Sequence, residues 1–436
     1  MNARARGPHV RWCGVRASLI GMVLVTDIDP QTSAPTKQYK APDAPSERDH
    51  NVVALGWVAF FGGFAQDMIQ PILPLFYSSV LGLNKEFIGL IEGSMMTVVS
   101  LAKMGAGYLS DYLGKRKAIV FVGYALSAAA RFSLGLAGSG AAVFGLRITD
   151  GVGKGIKDAP RDALVASSAG QGKLGFAFGV QRTLDTLGSV AGPLMTFWLL
   201  RLWINRPGKY QGIFFVAGVI AAMTLLIISL VVRERLAPVK MQRISLTVFR
   251  GPFAGFLAVM LLFTLGNSSD AFIILRAQDV GVPVVLIPVV YALFNLVSAA
   301  AAIPAGTLSD RIGRRRVIAC GWVVYAMAYL GFALAHSVWT IWVLYAFYGL
   351  FYALSESSAK AMVAELVPEE SRGTAYGLYN ATVGVMALPA SLLAGILWQR
   401  ISPAAPFALG AALAGLALIG LWFVPPAPVS RYGATT

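Results

Sequence analysis

A short polar motif occurs twice in this chain, each time between two apolar runs that are long enough to cross a bilayer. The first copy reads GYLSDYLGKRK at residues 107–117, and the second reads GTLSDRIGRRR at residues 306–316. The two copies start 199 residues apart in a chain of 436. The sequence therefore predicts two similar halves, each of which carries the motif at the same place in its fold.

The apolar runs and the low charge content define the class of protein. Hydrophobic residues make up 56% of the chain and charged residues only 13%, whereas an ordinary soluble domain has about 25% charged residues. The net charge of +15 would suit a nucleic-acid-binding protein, but most basic residues stand in short loops between apolar runs. This distribution is typical of an integral membrane protein and argues against nucleic acid as a partner.

Twelve apolar segments after residue 50 are long enough to span a membrane. The predicted fold class is an all-α integral membrane protein, with twelve transmembrane helices in two pseudo-symmetric six-helix halves at 51–232 and 251–424. A cytoplasmic linker at 233–250 joins the halves, a disordered cytoplasmic tail precedes them at 1–50, and a cytoplasmic tail follows at 425–436. The segments lie approximately at 52–80, 86–109, 118–137, 141–165, 173–201, 211–232, 251–276, 284–307, 317–335, 338–365, 373–398 and 404–424.

Loop charge predicts how the segments are oriented. The loops after segments two, six and eight are rich in Lys and Arg, and the loops on the other side hold fewer. Because basic loops stay in the cytoplasm, both termini are expected there. We expect the protein in the plasma membrane, specifically a bacterial inner membrane.

A second repeated stretch lies beside the first. The sequence GFAFG at 175–179 in segment five matches GTAYG at 373–377 in segment eleven. Transporters built from two such halves bind their substrate at the interface between the halves, near the bilayer midplane. The repeat therefore indicates where a substrate site should lie.

Segment four is the most highly charged of the predicted spans, with seven charged residues between 147 and 162. A charge at the bilayer centre costs roughly 2.5–3.5 kcal/mol even on a lenient scale, so this stripe should face a cavity or other polar helices. Arg147 and Asp150 are three residues apart, and Lys154 and Asp158 follow at spacings of four. The stripe could therefore also be a ladder of ion pairs that only holds the helix in place, and for residues 157–162 we favour that structural role.

Other charged residues lie inside segments one, two, three and five. Glu92 and Arg131 both fall toward the outer side and could pair. Because the chain has only three His residues, a carboxylate must carry any proton, and Asp67, Glu92 and Asp185 are the candidates. For each of them a buried structural ion pair is the alternative. The residues predicted to bind substrate or protons are Asp67, Glu92, Arg131, Arg147, Asp150, Lys154, Arg182 and Asp185.

The repeated motif suits a conformational latch. Its glycines allow close helix contact, and its acid lies beside basic residues at a helix end, so an ion pair there could hold the two halves in one state. The same basic residues could instead serve only to fix the topology. The predicted latch residues are Gly107, Asp111, Gly114 and Arg116 in the first copy, and Gly306, Asp310, Gly313 and Arg314 in the second.

The C-terminal half carries fewer charges. Segment seven contains the polar run from Asn267 to Asp270, and segment ten contains Glu356 and Lys360 at ion-pair spacing. Aromatic residues on segment ten could line an amphipathic pocket or pack against a neighbouring helix. These residues, at spacings of three, three and one, are Tyr345, Tyr348, Phe351 and Tyr352.

These motifs resemble those of the major facilitator superfamily, over essentially all of 51–424. The repeated pattern Gly-x-x-x-Asp-x-x-Gly-Lys/Arg-Arg-Lys/Arg resembles the signature loop of that family. The stretch RITDGVG at 147–153 resembles its Arg-x-x-Gln-Gly-x-Gly motif, with Asp150 in place of the usual Gln. Gly188, Gly192 and Pro193 resemble the Gly-x-x-x-Gly-Pro motif of its proton-coupled drug antiporters, although Met and Thr at 195–196 stand where Gly-Gly is common. We expect these three residues to serve helix packing.

The resemblance implies a secondary transporter that works by alternating access and exports a small organic or ionic compound by proton antiport. Proton-coupled uptake of a metabolite or metal chelate is the main alternative, and a non-transporting membrane sensor or scaffold is an alternative of another class. No phosphate-binding loop or His-Glu-x-x-His run occurs, so we predict no enzyme, no cofactor and no metal site. The expected partners are a small-molecule substrate, protons and the lipid bilayer, and the expected state is a monomer.

Overall fold

The computed structural model describes residues 47–113, 115–169, 173–234 and 251–425. Most of the predicted N-terminal tail, linker and C-terminal tail lies outside these residues. Gly114 also lies outside them, as do the side chain of Asp111 and the surroundings of Gly107. The described residues therefore include most of the two predicted halves and the whole second copy of the motif.

The first half consists of six long helices. Pro71 and Pro74 follow α1, and the chain continues there in short helical turns because proline cannot donate the backbone hydrogen bond that a regular helix needs. The helices are α1 (Glu47–Ile69, continued by Leu73–Leu75 and the π-helical turn Phe76–Val80), α2 (Lys85–Leu113), α3 (Arg116–Leu134), α4 (Gly140–Ser168), α5 (Leu174–Leu202) and α6 (Lys209–Leu230).

The second half repeats this arrangement with one break. Its first span is interrupted at residues 267–269, and the side chain of Ser269 caps the second part by accepting a hydrogen bond from the backbone N–H of Ala271. The helices are α7a (Pro252–Gly266), α7b (Asp270–Asp279), α8 (Ile287–Ile312, after the 3-10 turn Val284–Leu286), α9 (Arg314–Leu334), α10 (Val338–Leu366), α11 (Arg372–Arg400, after the 3-10 turn Glu369–Ser371) and α12 (Ala405–Phe423).

Twelve helical spans among the described residues confirm the predicted all-α membrane fold. Ten of them are long and apolar enough to cross a bilayer by length and composition. The other two have the necessary length but are less apolar, because α4 carries seven charged residues and α5 combines three charged residues with several Gly and Thr residues. Several of those charges are buried against neighbouring helices, which is how a charged helix can lie within a membrane.

Small residues bring α3 and α4 into close contact within the first half. A Cβ atom built on Gly123 would lie 2.7 Å from the backbone oxygen of Gly153, and one built on Gly153 would lie 2.6 Å from the backbone oxygen of Gly123. The two backbones therefore touch at these glycines, as is common where membrane helices cross. This crossing sets the depth at which the charged side chains of α4 meet those of α3.

We expect Gly153→Ala to lower the stability of the protein by about 1–3 kcal/mol, because the added methyl group meets backbone atoms that have no room to move. The measurement is the apparent melting temperature of the purified protein in detergent. Gly145→Ala on the same helix is the control, since nothing described lies within 4 Å of a Cβ atom at that position. Equal melting temperatures for the two variants would contradict this account of the crossing.

The two halves meet along the antiparallel pair α2 and α11. A Cβ atom on Gly89 would lie 2.2 Å from the backbone oxygen of Ser391, and the Thr97 hydroxyl donates a hydrogen bond of 2.7 Å to the backbone oxygen of Gly384. At the ends remote from the repeated motif, Arg400 forms an ion pair of 2.8 Å with Glu86. The halves are thus in contact from these ends to the middle of the helices. We call these remote ends the far end of the bundle.

The same helices separate at the end that carries the repeated motif, which we call the basic end. Continuing the antiparallel pairing of α2 and α11 would bring Gly105 opposite Gly377. A Cβ atom added at either position would have no described atom within 4 Å. On α10 near the same end, the side chains of Glu356 and Lys360 are 48% and 50% exposed. The interface is therefore closed at the far end and open at the basic end.

Candidate functional site

Four charged side chains form a buried network among α2, α3 and α4, which we call the charge cluster. Arg147 is bound by both carboxylate oxygens of Glu92, at 3.1 Å each, and by Asp150 at 3.4 Å. Arg131 lies 3.3 Å from the other carboxylate oxygen of Asp150. All four side chains are at most 2% exposed. Two acids and two arginines balance each other, which is what allows four charges to be buried together.

The charge cluster is also joined to α1. Arg131 donates a hydrogen bond of 3.4 Å to the backbone oxygen of Gly62, and the hydroxyl of Tyr77 donates one of 3.4 Å to Glu92. Tyr77 belongs to the π-helical turn after the two prolines. Movement of this part of α1 would therefore change the hydrogen bonding of Glu92.

The structure forms some of the predicted ion pairs and replaces others. Arg147 pairs with Asp150 as expected, but the pair of Glu92 with Arg131 is wrong. Glu92 instead binds Arg147, while the Arg131 guanidinium turns toward Asp150 and α1. Which charged residues meet in a buried network depends on how the helices are rotated against each other. The spacing of residues along one helix does not determine that rotation.

The alternative interpretation of this stripe, a ladder of ion pairs through Lys154, does not match the structure. Among the described residues, Lys154 has no ion pair within 4 Å, although it lies within electrostatic range of Asp67 and Asp150. Asp158 is instead engaged by Lys103 at 3.4 Å and by Arg161 at 3.9 Å. Lys154 thus remains a positive charge beside the central acids.

Further toward the basic end, α4 carries a second polar group. Arg161 forms an ion pair of 3.2 Å with Asp162, and the Lys157 ammonium lies 4.0 Å from the centroid of the Tyr124 ring. Contacts between a cation and an aromatic face of this kind are favourable. These contacts agree with the structural role that the sequence favoured for residues 157–162.

Asp67 and Asp185 lie nearer the interface between the halves. Asp67 is 7% exposed and lies beside Ser189 of α5, within electrostatic range of Lys154 and Asp185. Arg182 and Asp185, which are three residues apart, form no ion pair among the described residues, and both line a cavity of about 330 Å³ between α5 and α8. These acids are therefore placed where the two halves face each other.

The second half contributes an acid that the sequence prediction did not include among the site residues. Asp270, the first residue of α7b, accepts a hydrogen bond of 2.6 Å from the hydroxyl of Tyr348 on α10. Tyr291 on α8 lies within electrostatic range of both Asp270 and Asp67. A carboxylate inside segment seven, at the end of the polar run 267–270, was the signal that could have identified it.

The second copy of the repeated motif forms its ion pairs within its own half. Arg314 binds Asp310 at 3.1 Å and Glu365 of α10 at 2.8 Å. Gly313 adopts a φ of +92° between α8 and α9, a conformation that favours glycine, and a Cβ atom at Gly306 would meet nothing described within 4 Å. In the first copy, the backbone N–H of Arg116 donates a hydrogen bond of 3.1 Å to Glu234. The latch remains a prediction, because these contacts belong to a conformation in which the basic end is open.

The glycines of α5 lie where α5 crosses α1. A Cβ atom on Gly188 would lie 2.3 Å from the backbone oxygen of Phe60, and one on Gly192 would lie 2.4 Å from that of Phe64. Pro193, the next residue, is buried inside the helix. This crossing positions Asp185 beside α1, where a Cβ atom on Gly63 would lie 3.0 Å from its carboxylate oxygen.

Comparison with known proteins agrees with this fold. The sequence profile of the Major Facilitator Superfamily matches residues 55–275 and 253–435. An uncharacterised transporter of this superfamily from Methanocaldococcus jannaschii is 37% identical over 389 residues, which are 87% of this chain and 96% of that protein. The tetracenomycin C resistance and export protein of Streptomyces glaucescens is 30% identical over 132 residues, which are 29% of this chain and 24% of that protein.

Among solved structures, a nucleoside transporter superposes with a TM-score of 0.73 at 12% sequence identity, covering 85% of this chain and 98% of the other. At this identity the likeness concerns the fold. Together with the profile match and the full-length relative, it agrees with the two six-helix halves described above. This chain belongs to the Major Facilitator Superfamily and is a multi-pass membrane transporter.

Proposed function

We propose that this transporter couples the export of a small organic compound to the inward movement of protons. The observation that carries the proposal is the charge cluster, together with the acids that lie between it and the second half. Burying charges in a membrane protein is costly, and such groups commonly belong to ion or substrate pathways. A relative whose name describes resistance and export, although similar over only 132 residues, supports the outward direction.

Asp67 is the proton carrier in this proposal. It lies on α1 beside α5, within electrostatic range of Lys154. When Asp67 is ionised, its charge is compensated by Lys154, and when it is protonated, that attraction is lost. A change in protonation therefore alters the energy of one conformation relative to the other, which is what coupling requires.

We also propose how the protein is oriented in the plasma membrane. The basic loops at 115–117 and 314–316 would face the cytoplasm, so the described conformation would be open to the cytoplasm and closed to the outside. Such a state can receive substrate from the cell interior. The protein would work as a single chain, with both termini in the cytoplasm.

The test is proton movement in proteoliposomes that contain a trapped pH-sensitive dye. A panel of amphiphilic amines, organic acids and metal chelators is added to vesicles holding the wild type, Asp67→Asn or Glu369→Gln. Glu369 is the control because its side chain is 84% exposed. We expect at least one compound to trigger proton movement with the wild type and Glu369→Gln, and none with Asp67→Asn.

The sign of the proton movement separates antiport from symport. A compound added outside enters the vesicles down its own gradient, so protons leave the vesicles in antiport and enter them in symport. Substrate accumulation without any proton movement would contradict the coupling. Undiminished proton movement with Asp67→Asn would contradict the assignment of Asp67 and would make Glu92 and Asp185 the next candidates.

A further inference from the structure

Asp270 differs from Asp67 and Asp185 because no described Lys or Arg lies within electrostatic range of it, whereas both of those acids lie near basic residues. Its carboxylate accepts a hydrogen bond from Tyr348, but among the described residues no Lys or Arg nitrogen lies within 4 Å of it. In the same half, Glu356 is paired with Lys360 at 2.7 Å. The Asp270 side chain is partly, not fully, buried. A negative charge in such a place needs a positive ligand or a proton.

Aromatic rings surround this carboxylate. The ring of Phe294 lies 5.6 Å from that of Tyr291 and 5.4 Å from that of Tyr348, between ring centroids. The hydroxyl of Tyr345 is buried and has no hydrogen-bond partner among the described residues. We call Asp270 and the rings of Tyr291, Phe294, Tyr345 and Tyr348 the aromatic cage, because together with Ile273 they line one shared space.

The chemistry of the aromatic cage matches one class of ligand. The faces of aromatic rings attract cations within about 6 Å, and a set of such rings is a known means of binding quaternary ammonium groups. When it is ionised, Asp270 adds a negative charge, and the unpartnered oxygen of Tyr345 can accept a hydrogen bond from an N–H group. Nothing on this lining offers a positive charge to an anion.

The size of the aromatic cage limits what it can hold. In the described conformation the space between the rings does not admit a water-sized sphere, whereas pockets for whole drug-sized ligands span about 300–1,000 Å³. Side chains must therefore turn for a ligand to enter, and only a head group would fit. The remainder of the ligand would extend past Tyr291 toward Asp67 of the first half.

We propose that the aromatic cage binds the positively charged nitrogen of an organic amine or quaternary ammonium compound. This inference rests on the proposed transport function and names the class of substrate. The charge cluster of the first half is already neutral, because its two acids are matched by two arginines. Asp270 is therefore the group best placed to attract a cation to the second half.

Binding is measured by fluorescence titration of the full-length protein in lipid nanodiscs with no pH gradient. The probe is 4-(4-dimethylaminostyryl)-N-methylpyridinium, a permanent organic cation. Choline and its uncharged analogue 3,3-dimethyl-1-butanol serve as competitors. We expect the wild type to bind the probe, choline to displace it, and the uncharged analogue to have little effect. Glu369→Gln should bind like the wild type.

Three variants assign the binding to the cage. Asp270→Asn should weaken binding by at least about tenfold, because it removes the charge that faces the ligand. Tyr345→Ala, which removes a ring, should weaken binding about threefold to tenfold, and Tyr345→Phe, which keeps the ring, should stay within about threefold of the wild type. If Asp270→Asn does not fold, the two Tyr345 variants still decide the question.

Undiminished binding to Asp270→Asn, equal affinities for Tyr345→Ala and Tyr345→Phe, or displacement by the uncharged analogue would each overturn the proposal. So would the absence of probe binding to the wild type. Because this experiment needs no gradient, its result is separate from that of the coupling test. Cation binding without proton movement overturns the proposed coupling and leaves the cage in place, while proton movement without cation binding does the reverse.

Discussion

Replacing Arg147 with methionine is expected to abolish transport and to lower the free energy of unfolding by about 3–5 kcal/mol. Arg147 holds both oxygens of Glu92 and one of Asp150 in a network at most 2% exposed. Removing it leaves the charge cluster with two acids and one arginine. Asp150 keeps Arg131, whereas Glu92, which is 1% exposed, loses its ion-pair partner. The measurements are the melting temperature in detergent and substrate-triggered proton movement in proteoliposomes.

A matched double variant separates the structural effect of Arg147 from the functional one. In Arg147→Met with Glu92→Gln, one acid and one arginine remain, so the cluster is neutral again. We expect the double variant to regain most of the lost stability and to remain inactive in transport. If the single variant is as stable as the wild type, the cluster is not the buried network described here. If the double variant transports normally, the cluster serves only to hold the helices together.

The second large effect is expected from Gly89→Ala, at the contact between the halves. The new Cβ atom would lie 2.2 Å from the backbone oxygen of Ser391 and 2.9 Å from its carbonyl carbon. Backbone atoms cannot turn aside as a flexible side chain can, so α2 and α11 must separate at the far end. The strain, about 1–3 kcal/mol for an overpacked contact, falls on the described conformation. The equilibrium should therefore shift about fivefold or more toward a state that is closed at the basic end.

This shift can be measured by thiol accessibility at the basic end. A reporter cysteine is introduced as Gly377→Cys after Cys13 and Cys320 have been replaced by serine, and its rate of reaction with a water-soluble maleimide is followed. We expect Gly89→Ala to slow the reaction. Gly145→Ala on α4 is the control, since nothing described lies within 4 Å of a Cβ atom there. An unchanged rate with Gly89→Ala, in a folded protein, would show that the far-end contact does not distinguish two conformations.

Much of the fold follows from local features of the sequence. Apolar length defines the spans, the repeated motif defines the two halves, and the charge spacing of Arg147 and Asp150 predicts a pair that the structure contains. These features depend on one helix at a time, or on two copies of one pattern. They can therefore be recognised in the sequence without knowing how the helices pack against one another.

The site requires information that single helices do not carry. Glu92 and Arg131 have different partners from those expected, because the rotation of α2, α3 and α4 against one another decides which charges meet. Asp270 is recognisable as polar from the sequence but cannot be placed in a site, because its surroundings come from α8 and α10. The rings on segment ten would equally suit helix packing, and it is their approach to Asp270 and to Phe294 that identifies a cage.

Alternating access requires the two halves to move against each other around the buried charges. Its most direct test is the distance between spin labels on Gly105→Cys of α2 and Gly377→Cys of α11, measured in lipid nanodiscs from acidic to alkaline pH, with and without an organic cation. We expect a long distance for the described conformation, a second and shorter distance when the basic end closes, and a ratio of the two that changes with pH. A single distance that neither pH nor the cation alters would contradict alternating access in this protein.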